Sequence, residues 1–194
     1  MIHTESKVTH KNDHTKAEAK AEILYLEDKY ERMKSRLYQK KLLGELEKND
    51  LDELGNLMNI IAMKYSQEGN QSKAEEWLRR VLKHIQHSER MAIITYNNLA
   101  CVYRQSNNLP MALLYIKKAQ KEADIACLDS VDDTILKVVT DCSLNLCAIF
   151  SSMGEHLKAL KAVKKALKLI SHNKNIPKAY YNTLYPIMKY NEGV

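Results

Sequence analysis

The chain has 194 residues, of which 45% are hydrophobic and 28% are charged, a composition that excludes a disordered or fibrous protein. No apolar run approaches the ~20 residues that cross a bilayer, and the polar N-terminus lacks the apolar segment of a secretion signal. The 4 cysteines show no paired CxxC spacing, so we expect free thiols in a reducing compartment. These features predict a cytoplasmic protein without a membrane partner.

Residues 1–14 are polar, and we expect them to form a flexible tail. Thr15 and Glu18 have the spacing of a capping box, which predicts that a long amphipathic helix begins here and covers residues 15–48. Its apolar positions repeat at intervals of 3 and 4, as in a heptad seam: Ile23, Leu26, Tyr30, Met33 and Leu37. Two interpretations stay open. The seam either caps the first repeat described below or pairs with a helix of another protein or of a second copy.

A helical pattern follows this segment and occurs in three copies. In each copy a small residue stands 3 positions before an aromatic residue, and a second small residue follows the first after 12 positions. The positions, copy by copy, are Ala62, Tyr65 and Ala74; Ala100, Tyr103 and Ala112; and Cys147, Phe150 and Ala159. Apolar residues at helical spacing surround each small residue, so each copy predicts two helices that touch at the small positions.

This spacing resembles the tetratricopeptide repeat, whose consensus has Leu with Gly or Ala, then an aromatic residue, a turn, and a second helix containing Ala. The segment 97–103, Asn-Asn-Leu-Ala-x-x-Tyr, is most similar to the repeats of kinesin light chains and related scaffolds. The resemblance implies an all-α solenoid of about three helical hairpins with a long N-terminal helix. The repeats are expected at about 55–88, 93–126 and 140–173 within residues 50–176, and a C-terminal capping helix at 177–194.

Groups that would carry chemistry are scarce in the sequence. There is no phosphate-binding loop, nucleotide fingerprint, nucleophile elbow or zinc spacing. The histidine pairs His10/His14 and His84/His87 have the spacing of shared ligands, but neither has a third ligand nearby in sequence. We therefore expect no enzyme, no cofactor and no metal site.

The resemblance places the candidate binding residues in the concave groove lined by the first helix of each repeat. In family members that bind extended peptides, an Asn two positions before the small residue bonds to the peptide backbone, and Asn98 and Asn145 hold that position here. The alternative is that each Asn bonds to the backbone of a neighbouring helix in the groove floor. The groove candidates are Asn59, Met63, Asn97, Asn98, Cys101, Arg104, Gln105, Asp141 and Asn145.

The surplus positive charge, +6 for the whole chain, lies at the C-terminal end. There the second helix of the third repeat carries a basic stripe, formed by Lys158, Lys161, Lys164, Lys165 and Lys168. A solvated helix face explains the stripe, and contact with an acidic surface or nucleic acid is the alternative. Because aromatic residues are missing from this face, nucleic acid is not the expected ligand.

These observations together predict a non-enzymatic adaptor that binds an extended peptide or a helix in the groove, as a subunit of a larger assembly. The alternative function is binding of RNA or another polyanion through the basic stripe. A cytoskeletal or ciliary association stays open, and the sequence does not name the partner.

Overall fold

The computed structural model describes residues 5–84, 88–129 and 133–171, together with residues 182, 185, 186, 189 and 190. All regular structure in these residues is helical, so the predicted all-α fold class is confirmed. The three long ranges contain α1 (Glu5–Leu43), α2 (Lys48–Gln67), α3 (Gln71–His84), α4 (Glu89–Gln105), α5 (Leu109–Asp129), α6 (Asp133–Ser152) and α7 (His156–Ser171).

The chain divides into two compact units, Met1–Gln86 and His87–Val194. The first unit contains α1 and the helical hairpin of α2 and α3. The second contains the hairpins of α4 with α5 and of α6 with α7, and α6 also packs against α4 and α5. The predicted capping helix at 177–194 lies almost entirely outside the described residues.

The small residues of the repeated pattern form the centre of each hairpin. All six have 0% of their surface exposed: Ala62, Ala74, Ala100, Ala112, Cys147 and Ala159. In each hairpin the two helices pack along each other, and a larger side chain at these positions would force them apart. The spacing in the sequence therefore marks fully buried positions of the three hairpins.

The three hairpin turns share one backbone geometry. The residue 7 positions after the first small residue has a positive φ in every copy: Gly69 (77°), Asn107 (56°) and Gly154 (73°). The N–H of the next residue donates to the carbonyl oxygen of the aromatic residue of the pattern, at 2.8 to 2.9 Å. This is the Schellman ending of a helix, and asparagine is among the few residues other than glycine that adopt its left-handed conformation readily.

Helix α1 lies on the first hairpin through its apolar seam. Ile23, Tyr30 and Leu37 are only 5 to 6% exposed. The Tyr30 ring meets the Trp77 ring of α3 edge to face, with 4.9 Å between centroids and 90° between planes. The chain's own hairpin thus covers the most buried positions of the seam, as the capping interpretation expects. Leu26 and Met33, on the same stripe, are half-buried, and pairing of the seam with another chain stays a prediction.

Ion pairs and hydrogen bonds also connect α1 with α2. The Lys64 ammonium lies 2.8 Å from Glu22 Oε2, and the Lys40 ammonium donates to both carboxylate oxygens of Asp50 at 2.8 and 2.9 Å. Asp50 also accepts from the Glu47 N–H at 3.1 Å, which caps the start of α2. The hydrogen bonds from Lys40 and then from Glu47 lower the pKa of the Asp50 carboxyl below its ordinary value.

The bounds of α1 differ from those expected for the N-terminal helix. It begins at Glu5, so residues 5–14 are helical where a tail was predicted, because neither Gly nor Pro interrupts the chain before Gly44. It ends at Leu43 rather than at 48, because Gly44 takes a positive φ of 74°. The Glu45 N–H then donates to the Lys40 carbonyl at 2.9 Å and closes the helix.

Candidate functional site

The second unit brings together most of the predicted groove residues on α4 and α6. Asn97, Asn98, Cys101 and Arg104 of α4 are half-buried, and so are Asp141 and Asn145 of α6. Their spacing of 3 or 4 residues puts each set along one side of its helix, while the opposite side of α4 enters the core. We call this surface, formed by Asn97, Asn98, Cys101, Arg104, Asp141 and Asn145, the α4–α6 face. Gln105, at the end of α4, is exposed beside it.

A side-chain hydrogen bond joins the two helices of this face. The Asn145 Nδ2 of α6 donates to the Asn97 Oδ1 of α4 at 2.9 Å. The sequence predicted Asn98 and Asn145 as the functional pair, or a bond from each Asn to the backbone of a neighbouring helix. The observed partner of Asn145 is instead the side chain adjacent to Asn98 in sequence. Asn98 itself takes part in another interaction.

The charged residues of the face lie close to the Cys101 thiol. Burial raises the pKa of this thiol, Arg104 lowers it, and Asp141 of the neighbouring helix raises it again. Burial also raises the pKa of the Cys142 thiol to about 12. Since the thiolate is the nucleophilic form, these thiols are poor nucleophiles. Cys101, Cys142 and Cys147 form no disulfide within the described part of the chain.

Arg104 has an unusual place on the face. It stands in the last turn of α4, and its Nε atom is buried without a hydrogen-bond partner among the described residues. A buried donor without an acceptor is costly, and in native proteins such groups often point to a ligand or a water molecule that completes the site. The Nε donor is therefore unsatisfied within the part of the chain that the structure describes.

The two first-repeat candidates lie in the other unit. Asn59 is only 4% exposed, and its Nδ2 donates to the Gly55 carbonyl at 3.0 Å, so it is not a groove residue. Asn59 is buried because it lies on the core-facing side of α2, together with the buried residues Gly55, Met58 and Ala62. Met63 is half-buried on α2.

All five lysines of the basic stripe are exposed on α7. Lys158 forms an ion pair with Glu155 and lies over the Phe150 ring, 5.7 Å from its centroid. The Lys165 ammonium lies 3.8 Å from Asp124 Oδ1 of α5. Acidic neighbours therefore neutralise part of the stripe, which the sequence pattern alone did not reveal.

Two further features concern metals and membranes. Among the described residues, no three His, Cys, Asp or Glu side chains gather as metal ligands do. Both predicted histidine pairs include side chains outside the described residues. No helix in the described part of the chain has the length and apolar character that crossing a membrane requires.

Comparison with known proteins gives a structural likeness without a sequence match. No protein-family model and no curated protein matches the chain. Among solved structures, the crystal structure of BtubC (BKLC) from P. vanneervenii is similar, with a TM-score of 0.71 and 18% identity. The likeness covers 90% of this chain and 66% of that chain, slightly less than two thirds of its length. It shows that the two chains share an all-helical fold.

Proposed function

We propose that the protein is a non-enzymatic adaptor that binds an extended peptide segment of a partner on the α4–α6 face, as a subunit of a larger assembly. The observation that carries the proposal is the Asn97–Asn145 pair. A side-chain amide has two N–H donors and an oxygen with two lone pairs, so one bond of 2.9 Å leaves both residues with unused capacity. An extended peptide backbone presents the complementary N–H and C=O groups along its length.

The other residues of the face favour a peptide that is polar but weakly charged. Arg104 and Asp141 are both half-buried on the face and contribute one charge of each sign. The Cys101 thiol, with its raised pKa, provides contact surface rather than a nucleophile. The lack of a disulfide among Cys101, Cys142 and Cys147, the cysteines whose side chains the structure describes, is consistent with a reducing compartment such as the cytoplasm.

The test compares partner capture by three forms of the full chain. Tagged wild type, the double variant Asn97→Ala/Asn145→Ala and the control Gln120→Ala are used to capture proteins from the source cells, and the affinity of each captured partner is then measured. Each lost hydrogen bond removes about 0.5–1.5 kcal/mol, and 1.4 kcal/mol is tenfold, so we expect the double variant to bind roughly ten- to a hundredfold more weakly. Gln120, an amide of α5 outside the face, should be replaceable without loss.

The competing function makes the opposite prediction. If the ligand is a polyanion on the basic stripe, the asparagine variant keeps full affinity, while changing the stripe lysines to glutamine abolishes binding. Affinity then also falls steeply with salt, because phosphate contacts release counterions. Retained binding by the asparagine variant together with these two effects would reject the adaptor proposal.

A further inference from the structure

A cleft of about 540 Å³ opens between α1 and the first hairpin, remote in sequence from the α4–α6 face. We call it the α1 cleft. One stripe of α1, at spacings of 3, 4 or 1, forms one wall, and the end of α2 with the start of α3 forms the other. Its lining residues are Lys16, Lys20, Ile23, Leu24 and Glu27 of α1, and Tyr65, Glu68, Asn70 and Lys73 of the hairpin. The volume is in the range of pockets that hold small ligands or a few side chains.

The floor of the α1 cleft is a closed polar network. The Tyr65 hydroxyl donates to Glu27 Oε1 at 2.7 Å, and the Lys73 ammonium donates to the same hydroxyl oxygen at 3.3 Å. The Lys73 ammonium also lies 4.9 Å from the centroid of the Tyr65 ring. Glu27 and Lys73 thus offset each other's charge through one hydroxyl, so the floor presents no uncompensated charge to a ligand.

The rim, in contrast, is positive and apolar. Lys16 and Lys20 are exposed one helical turn apart, and neither forms an ion pair with a side chain that the structure describes. Leu24 follows Lys20 by one further turn, lines the cleft and is 57% exposed. Across the cleft only Glu68 supplies a negative charge outside the floor network. The rim therefore combines the exposed ammonium groups of Lys16 and Lys20 with the exposed apolar side chain of Leu24.

We propose that the α1 cleft is a second binding site, which takes a short peptide segment of a partner protein in which a carboxylate side chain stands next to an aliphatic one. The carboxylate lies between Lys16 and Lys20, and the aliphatic side chain covers Leu24 and the edge of the Tyr65 ring. Charge complementarity selects this occupant: the ammonium pair attracts an acid, while the floor network repels neither sign. The apolar contact supplies the burial that a pair of exposed lysines alone does not.

The test uses a defined peptide on the full chain labelled with nitrogen-15. Acetyl-Glu-Leu-Glu-Leu-amide is titrated to about 10 mM, the concentration at which a millimolar complex saturates, while backbone amide resonances are followed by NMR. Two control peptides replace Leu by Ser or Glu by Lys. We expect saturable shifts at the amides that line the α1 cleft with the first peptide, and binding at least about threefold weaker with each control. No saturable shift at these amides, or tighter binding of the lysine peptide, overturns the proposal.

Matched variants decide whether the rim lysines are responsible. Lys20→Glu should weaken binding about three- to tenfold, because it turns one attraction into a repulsion at an exposed site. Lys29→Glu makes the same charge change on α1, but 9 residues along the helix it lies on the opposite side and should have no effect. Leu24→Ser should weaken binding while leaving the fold intact, since this side chain is largely exposed. Equal weakening by the variants at 20 and 29 would show general charge attraction and reject the site.

Discussion

The docking of α1 on its own hairpin predicts a large effect of Tyr30→Ala. Tyr30 is 5% exposed and packs edge to face on Trp77. An aromatic side chain buries about 150–250 Å², and truncating a buried aromatic residue to alanine costs about 3–5 kcal/mol of unfolding free energy. Of this, about 0.5–1.5 kcal/mol belongs to the ring pair itself. Tyr30→Phe keeps the ring and should therefore retain most of the stability.

The chain offers a direct readout for this prediction. Trp77 is its single tryptophan, so intrinsic fluorescence during urea unfolding reports on the first unit, while circular dichroism reports on all helices. The matched control is Tyr38→Ala, in the same helix and with the same change in helix propensity, at a residue that is 61% exposed. We expect its unfolding free energy to stay within about 0.5 kcal/mol of the wild type.

Two results would refute this account of α1. Equal stability losses for the variants at positions 30 and 38 would mean that the seam is not packed on the hairpin. A loss for Tyr30→Ala that shrinks as the protein concentration rises would mean that the seam is buried between two chains instead, because association stabilises by mass action.

Two further predictions concern the hairpin contact and the ion pair of α1. Ala112→Trp should lower the unfolding free energy by about 1–3 kcal/mol, because Ala112 is fully buried. The control Lys117→Trp, on the exposed side of the same helix, should not lower it. Equal urea midpoints for the two variants would argue against close packing of α4 on α5 at Ala112. The Lys40 contact lowers the pKa of the Asp50 carboxyl in the folded protein below its ordinary value of 3.8. The ion pair therefore stabilises the fold above pH 3.8, and this stabilisation is lost as the pH falls through the pKa of the folded protein. The wild type should therefore be more stable than Asp50→Asn at about pH 7, and equally stable at a pH below the pKa of Asp50 in the folded protein. The control Asp28→Asn removes an exposed ion pair and should change the stability little at either pH.

The hairpins were predictable because their defining constraint is local and steric. Two helix backbones approach closely only where the side chains are small, so Ala100 and Ala112 had to stand at a fixed distance in sequence, and the same distance recurs in the other copies. The turn at Asn107 follows for a similar reason, since the ending of a helix needs a residue that tolerates a positive φ.

The α4–α6 face was predictable only in part. Neighbouring residues on a helix point about 100° apart, so both Asn97 and Asn98 fall near the groove edge in sequence. Which of them meets Asn145 depends on how α4 and α6 cross, and that geometry is not encoded in either helix alone. Asn59 shows the same limit: its spacing matches the groove, but the buried side of α2 includes it.

The start of α1 was predicted wrongly because helix extension is cooperative, whereas a capping box acts at one position only. A capping box contributes about 1 kcal/mol at one position, whereas a helix that is already formed extends through every residue that does not break it. Thr15 therefore carries the signal of a helix start while lying inside a helix that begins at Glu5.

Helix α1 also gives the first copy of the pattern a polar contact that the third copy lacks. The aromatic position of the pattern carries a lysine contact in the first and third copies, Lys73 over Tyr65 and Lys158 over Phe150, each 8 residues apart. In the first copy the aromatic residue has a hydroxyl, and α1 places Glu27 at 2.7 Å from it. Phenylalanine in the third copy lacks that donor, so the polar floor of the α1 cleft requires both a tyrosine in the repeat and the helix that covers it. The α1 cleft therefore combines the tyrosine of the first copy with residues of α1, and we expect an acidic aliphatic segment to bind at the first hairpin, which α1 covers.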